Sequence, residues 1–98
     1  MSPVEAVSLE REVSAHPKEF RHGLLLAFPG CVTEDSGTLR VADGPAAMEI
    51  FLTPKAPRVI AALRLPTLQV RIRFTAGTSA QQKEMLARMD RAMHRGGG

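Results

Sequence analysis

Turn-forming residues recur along this chain at nearly even intervals: Pro29-Gly30, Ser36-Gly37, Asp43-Gly44-Pro45, the stretch from Pro54 to Pro57, Leu65-Pro66-Thr67 and Ala76-Gly77. Between them lie short segments in which apolar and polar side chains alternate, the pattern of a strand with one wet face. Thr38 to Ala42 puts Leu39 and Val41 on one side, and Ala47 to Thr53 does the same for Met48, Ile50 and Leu52. Arg58 to Leu65 groups Val59, Ala61, Leu63 and Leu65, and beyond Pro66 the apolar parity moves to Leu68, Val70, Ile72 and Phe74. A one-residue slip exchanges the two faces of a strand, so the switch at Pro66 marks either a tight turn between two strands or a bulge within one. The turn is the expectation here. Short strands joined by close turns predict an antiparallel meander.

Two helices frame this sheet. The first is predicted from near His16, with Pro17 in the favoured first position and Phe20, Leu24, Ala27 and Phe28 on one stripe, until Pro29 ends it. The second is predicted from Thr78 or Ser79, where Ser79 and Gln82 have the spacing of a capping box. Its inner stripe is Met85, Leu86, Met89, Ala92 and Met93, with Glu84, Arg88, Arg91 and Arg95 on the opposite side. Val7, Leu9 and Val13 keep a period of two ahead of the first helix, interrupted by Arg11, and suggest one more strand. The expected fold is α+β, an antiparallel meander sheet of about four strands with two helices packed on one face. A chain of 98 residues suits one domain, read as residues 1–95, with 96–98 a flexible glycine tail. Ubiquitin-like and sulfur-carrier proteins also end in paired glycines, but their tail extends from a strand, whereas this one follows a predicted helix.

The composition limits the core and the compartment. With 44% apolar residues, four Phe and no Tyr or Trp, the buried area must be largely aliphatic. The longest apolar stretch, around Gly23 to Val32, contains Pro29 and is too short to span a bilayer, so no membrane partner is expected. The single cysteine, Cys31, can form neither an internal disulfide nor a cysteine-rich zinc site. A cytoplasmic protein is the expectation.

Charge is placed unevenly. Residues 1–49 hold eight acids and four bases, residues 50–98 two acids and nine bases, and no acid occurs from 50 to 83. In that stretch LQVRIRF, residues 68–74, sets Arg71 and Arg73 on the sheet face away from the helices. Arg58 and Arg64 are candidates to join them, with Arg88, Arg91 and Arg95 as a second row. Grouped guanidinium groups hold phosphates through charge-assisted, often bidentate hydrogen bonds, which makes nucleic acid or another polyanion one candidate partner. The competing reading is a solvated sheet face, with Glu49 pairing to the arginines from a neighbouring strand. Readout of single strands by base stacking is not expected, because Phe20, Phe28 and Phe74 fall on core stripes. The basic cluster that double-stranded RNA-binding domains carry at the start of their second helix is also missing, since Gln81, Gln82 and Lys83 stand there.

No pattern for catalysis, cofactor or metal emerges. His16, His22 and His94 lack ligand spacing, with His16 better placed to begin a helix, and Met85, Met89 and Met93 have the spacing of a buried stripe. Cys31 reads as an incidental thiol, and Glu10 with Glu12 or Glu34 with Asp35 have no identifiable acid or base partner. The expectation is therefore a small non-catalytic binding or accessory domain, acting through a protein partner or as a homo-oligomer. Unpaired edge strands and an uncovered sheet face are the physical reasons for expecting assembly.

Overall fold

The computed structural model describes residues 8–96, with side chains described through Met93. The elements are β1 (Ser8–Val13), α1 (Pro17–Ala27), β2 (Val32–Asp35), β3 (Thr38–Asp43), β4 (Ala46–Ile60), β5 (Leu63–Ala76) and α2 (Ser79–Gly96). They form one five-stranded sheet in the order β1-β5-β4-β3-β2, antiparallel throughout, with both helices on one face. The class is α+β as read from the sequence, with one strand more than the four expected. β2, whose four residues are too few to show a period, is not among the expected segments, and the expected segment 58–65 is divided between β4 and β5.

The core follows from the register. Ile50 lies opposite Ile72, Met48 opposite Phe74 and Leu52 opposite Val70 across β4 and β5; Leu39 and Val41 extend the layer on β3. Phe20, Leu24 and Phe28 of the α1 stripe and Met85 and Met89 of the α2 stripe pack against it. Arg11 does not interrupt β1. It shares the helix-facing side with Leu9 and Val13, where it is half-buried and forms an ion pair with Asp90 of α2. Its aliphatic stem covers apolar surface while the guanidinium meets the carboxylate.

Both helix starts are capped by their own side chains. His16 is the residue before α1, and its N–H donates to Glu19 Oε1 at 2.9 Å. For α2 the capping box is one residue earlier than the sequence spacing suggests. The Thr78 N–H donates to Gln81 Oε1 at 2.8 Å, and the Gln81 N–H donates to Thr78 Oγ1 at 3.2 Å. Thr78 and Gln81 have the same three-residue spacing as Ser79 and Gln82, so spacing alone did not separate the two frames. Gly77 chose between them: its φ of +106° turns the chain out of β5, and the helix begins after it.

The largest departure from expectation is the β4–β5 hairpin. Leu65-Pro66-Thr67 is not a turn, nor is the stretch from Pro54 to Pro57; both lie inside long strands, and the chain reverses at Ala61-Ala62. β4 carries a one-residue bulge between Lys55 and Arg58, opposite Pro66, but β5 runs through Pro66 without one, so its alternation continues and Leu63 and Leu65 lie on the same face as Gln69, Arg71 and Arg73. Across the Ala61-Ala62 turn Val59 pairs with Arg64 and Ile60 with Leu63, so Val59 and Leu63, grouped by the sequence pattern, lie on opposite faces. The prolines mark where neighbouring strands stop. Pairing of β3 with β4 ends at Phe51, ahead of Pro54 and Pro57, and pairing of β1 with β5 ends at Leu68, ahead of Pro66. Lacking an N–H, proline is tolerated on an edge that no strand joins. Residues 53–67 consequently project as a two-stranded arm without flanking strands. With about 3.3 Å per residue, the length of β4 accounts for the longest dimension of the molecule, 53 Å against 28 and 26 Å across.

A Cβ at Gly77 would lie 3.0 Å from Ala46 Cα, at a backbone angle that disfavours any side chain. Gly77→Ala is expected to lower unfolding stability by about 2 kcal/mol, read as a shift of the urea midpoint with an unchanged slope. An unshifted midpoint would contradict the close approach of β4 to this turn.

Candidate functional site

The sheet face away from the helices carries the arginines of LQVRIRF, as alternation along β5 requires. Arg71 and Arg73 are both exposed there. Acids are set between them and their neighbours. Glu49 on β4 stands opposite Arg73 and also opposite Arg40 on β3; its carboxylate is 3.9 Å from Arg73 Nε and 3.4 Å from Arg40 Nε. Glu10 on β1 lies opposite Arg71 and accepts a hydrogen bond from Gln69 Nε2 at 3.2 Å. Glu12 accepts from Arg58 Nη2 at 2.7 Å, tying the lower arm to the end of β1. Like charges directly across a sheet repel and opposite charges stabilise modestly, so this alternation suits an exposed face. The pairing of Glu49 with arginine anticipated from the sequence is present.

Among the described side chains, the candidates Arg64, Arg88 and Arg91 do not join this group. Arg64 lies opposite Val59 on the other face of the arm and is exposed. Arg91 is exposed on α2, with Glu84 at 3.8 Å. Arg95 and His94 lie outside the described side chains, and Gly97 and Gly98 outside the described residues. Arg88 is drawn into the structure rather than displayed on an outer row. It forms an ion pair with Asp43 at the end of β3, donates to Ala27 O at 2.7 Å, and lies 4.7 Å from the centre of the Phe28 ring. Ala27 ends α1, so the guanidinium meets the negative end of that helix dipole and supplies the cation that the last turn of α1 lacks. Phe51, the aromatic without a core assignment in the sequence, is half-buried on the sheet face between Thr38 and Arg71.

The features that sequence reasoning missed are apolar. At the arm tip Val59 is 62% exposed, Ile60 52% and Leu63 62%, on either side of the two alanines of the turn. Ala61 holds a φ of +54°, a conformation costly to any residue with a Cβ. A second apolar surface lies on the helix side. There a groove of about 950 Å³ runs between the first half of α1 and the last turns of α2, lined by Val13, Phe20, Gly23, Leu26 and Met93, with Arg11 and Asp90 on its wall. Leu26 on its rim is 63% exposed. The helices meet closely at Gly23, where a Cβ would be 2.6 Å from Met93 Sδ.

Cys31 is half-buried against the core, and its backbone joins the α1 terminus to β3 through hydrogen bonds to Phe28 O and from the Ala42 N–H. Among the described residues no three His, Cys, Asp or Glu side chains gather as a metal site, and no helix is long and apolar enough to cross a membrane. No protein-family model matches the sequence, and no curated protein matches it.

Replacing Arg88 by Leu removes an ion pair, a hydrogen bond to a helix end and a ring contact, all partly exposed. The expected cost is about 1–2 kcal/mol of unfolding stability, with the thermal midpoint falling accordingly. An Arg88→Leu protein as stable as the parent would return Arg88 to the set of cations available for a ligand.

Proposed function

We propose that this chain is a non-catalytic binding domain of the cytoplasm that associates with protein, first of all with a second copy of itself, through the β4–β5 arm. The observation that carries this reading is the arm tip. Val59, Ile60 and Leu63 present aliphatic side chains to water at the end of a two-stranded arm. Such a hairpin is marginally stable alone in water, and three exposed aliphatic residues at its end add a further cost that a partner surface would remove. Ile60 and Leu63, paired across the turn on one face and clear of the core, suit a contact, whereas single exposed apolar residues are ordinary. The lone Cys31 thiol suits a reducing compartment.

A second reading, nucleic acid or another polyanion, draws on one feature: the arm carries Lys55, Arg58 and Arg64 and no acid. A two-stranded ribbon fits the major groove of duplex DNA. Against it stand Glu10, Glu12 and Glu49, which a phosphate backbone lying on the adjoining sheet face would have to approach.

Sedimentation velocity across micromolar to near-millimolar protein should show mass rising with concentration. Ile60→Glu with Leu63→Glu should give a monomer throughout, with circular dichroism unchanged because both side chains already face water. A parent protein that stays monomeric over the whole range would remove the self-association reading. For the polyanion reading, fluorescence anisotropy with duplex and single-stranded oligonucleotides should show binding that weakens steeply with salt and is lost in Arg58→Glu with Arg64→Glu. Absence of binding even at low salt would exclude it.

A further inference from the structure

We infer that the arm carries a hinge at the bulge facing Pro66, and that the ion pair between Arg58 and Glu12 is the latch that holds its outer part beside the end of β1. Hinge and latch belong to the arm itself and hold whichever partner it meets.

The ladder is weakest at the bulge. Below it Thr53, Pro54 and Lys55 pair with Gln69, Leu68 and Thr67; beyond it Arg58, Val59 and Ile60 pair with Leu65, Arg64 and Leu63. Between these two sets stand Ala56 and Pro57 on one strand and Pro66 on the other, outside the paired register. Neither proline has an N–H to donate, so cross-strand bonding is interrupted where the two sets meet, and a bulge bends the strand that carries it. The proline rings fix φ but leave ψ free. A modest change of direction can therefore be shared among Ala56, Pro57 and Pro66 while the outer pairs turn as a unit.

The outer pairs lie clear of the core. Every residue from Thr53 to Arg64 is exposed, and the pairing of β3 and of β1 with the central strands ends before the bulge is reached. Buried packing and flanking ladders, which fix the rest of the sheet, do not restrain this part.

What reaches the arm comes from the end of β1. The Arg58 guanidinium crosses β5 and donates from Nη2 to Glu12 Oε1 at 2.7 Å, and Ser14 Oγ donates to Pro66 O at 3.2 Å. Both contacts fall at the bulge, since Arg58 is the first paired residue beyond it and Pro66 lies opposite it. Glu12, Val13, Ser14, Arg58, Leu65 and Thr67 line a recess of about 170 Å³ between the arm and the strand end. The joint is thus tied by polar contacts across an unfilled space, where a well-packed joint would be rigid.

The ion pair is open to water on both sides, with the Arg58 side chain 61% exposed and that of Glu12 52%. Exposed pairs are weak and screened by salt, and removing one shifts an equilibrium by about twofold to fivefold. A latch of that strength favours one direction of the arm and opens with ionic strength, or when an anionic group of a partner competes for Arg58.

The test is pulsed electron spin resonance on the full chain in a Cys31→Ser background, with nitroxides at Ala62→Cys on the tip and Lys18→Cys on α1, both exposed positions. Dilution with unlabelled protein confines the reading to distances within one chain, and matching circular dichroism spectra and thermal midpoints establish that each variant is folded. At low ionic strength the distance should have one dominant value. Glu12→Gln should raise the population at other distances by about twofold to fivefold. Arg58→Gln should match it, and the two together should do no more than either alone. Molar salt should act on the parent in the same way and leave the variants unchanged. Exchanging the charges, Glu12→Arg with Arg58→Glu, should restore the dominant distance, which a merely structural role for either side chain would not.

A distance distribution that both single variants leave unaltered overturns the latch. One that stays narrow in the variants and in molar salt also shows the ribbon to be rigid through the bulge, and overturns the hinge. A distribution already broad in the parent at low ionic strength overturns the latch as well. None of these results bears on association through the arm, which sedimentation decides separately.

Discussion

The register between β4 and β5 is the constraint on which the rest of the molecule depends. These two strands are the centre of the sheet, and their facing pairs Met48 with Phe74, Ile50 with Ile72 and Leu52 with Val70 form the apolar layer that receives both helices. Because side chains alternate with a period of two, a slip of one residue would turn Ile50 and Ile72 to water and Glu49 and Arg73 toward Phe20 and Met89. The cost of burying those charges makes the register specific. β1 and β3 then add to the two outer edges of this pair, and α1 must cross the sheet because the strands it joins, β1 and β2, lie at opposite edges.

Charged side chains finish what the apolar layer begins. Arg11 and Asp90 join β1 to α2 on one flank; Arg88 joins α2 to β3 and to the end of α1 on the other. These pairs are half-exposed, so each adds modestly to stability, and their larger effect is to hold the helices in position over the sheet. On the opposite face, Arg40, Glu49 and Arg73 alternate in sign across three strands. An excess of arginine in the second half of the chain is thus partly absorbed by the acids of the first half. The uneven charge distribution along the sequence becomes a mixed one in space, because antiparallel pairing lays β5 against β1.

How far sequence could lead differs element by element. The α1 stripe was legible because Phe20, Leu24 and Phe28 repeat at the helical period between two prolines, and the Met85 and Met89 stripe of α2 for the same reason. Arg71 and Arg73 were placed on the outer face by alternation alone. The arm was not legible. Its turn is Ala61-Ala62, which lacks the Gly or Asn that a reversal with positive φ favours, while the prolines that resemble turn signals serve to end pairing with neighbours. Helical periodicity points Arg88 outward because it gives an angle about the axis, not what stands at the end of a long side chain. The groove is not legible in sequence because the Phe, Leu and Met in its lining read the same as a core.

Local pattern determined what depends on nearest neighbours along the chain: two amphipathic helices, alternating strands, an aliphatic core, the α+β class, and which face of β5 is wet. Tertiary structure decided where the long hairpin reverses, which acid answers which arginine, and that an apolar tip and an apolar groove coexist on one surface. The physical reason is that propensity and periodicity act over a few residues, whereas strand partners, ion pairs and exposure are set between residues far apart in the chain. Glu12 and Arg58 are 46 positions apart, and Arg11 and Asp90 are 79 apart, yet each pair lies within hydrogen-bond reach.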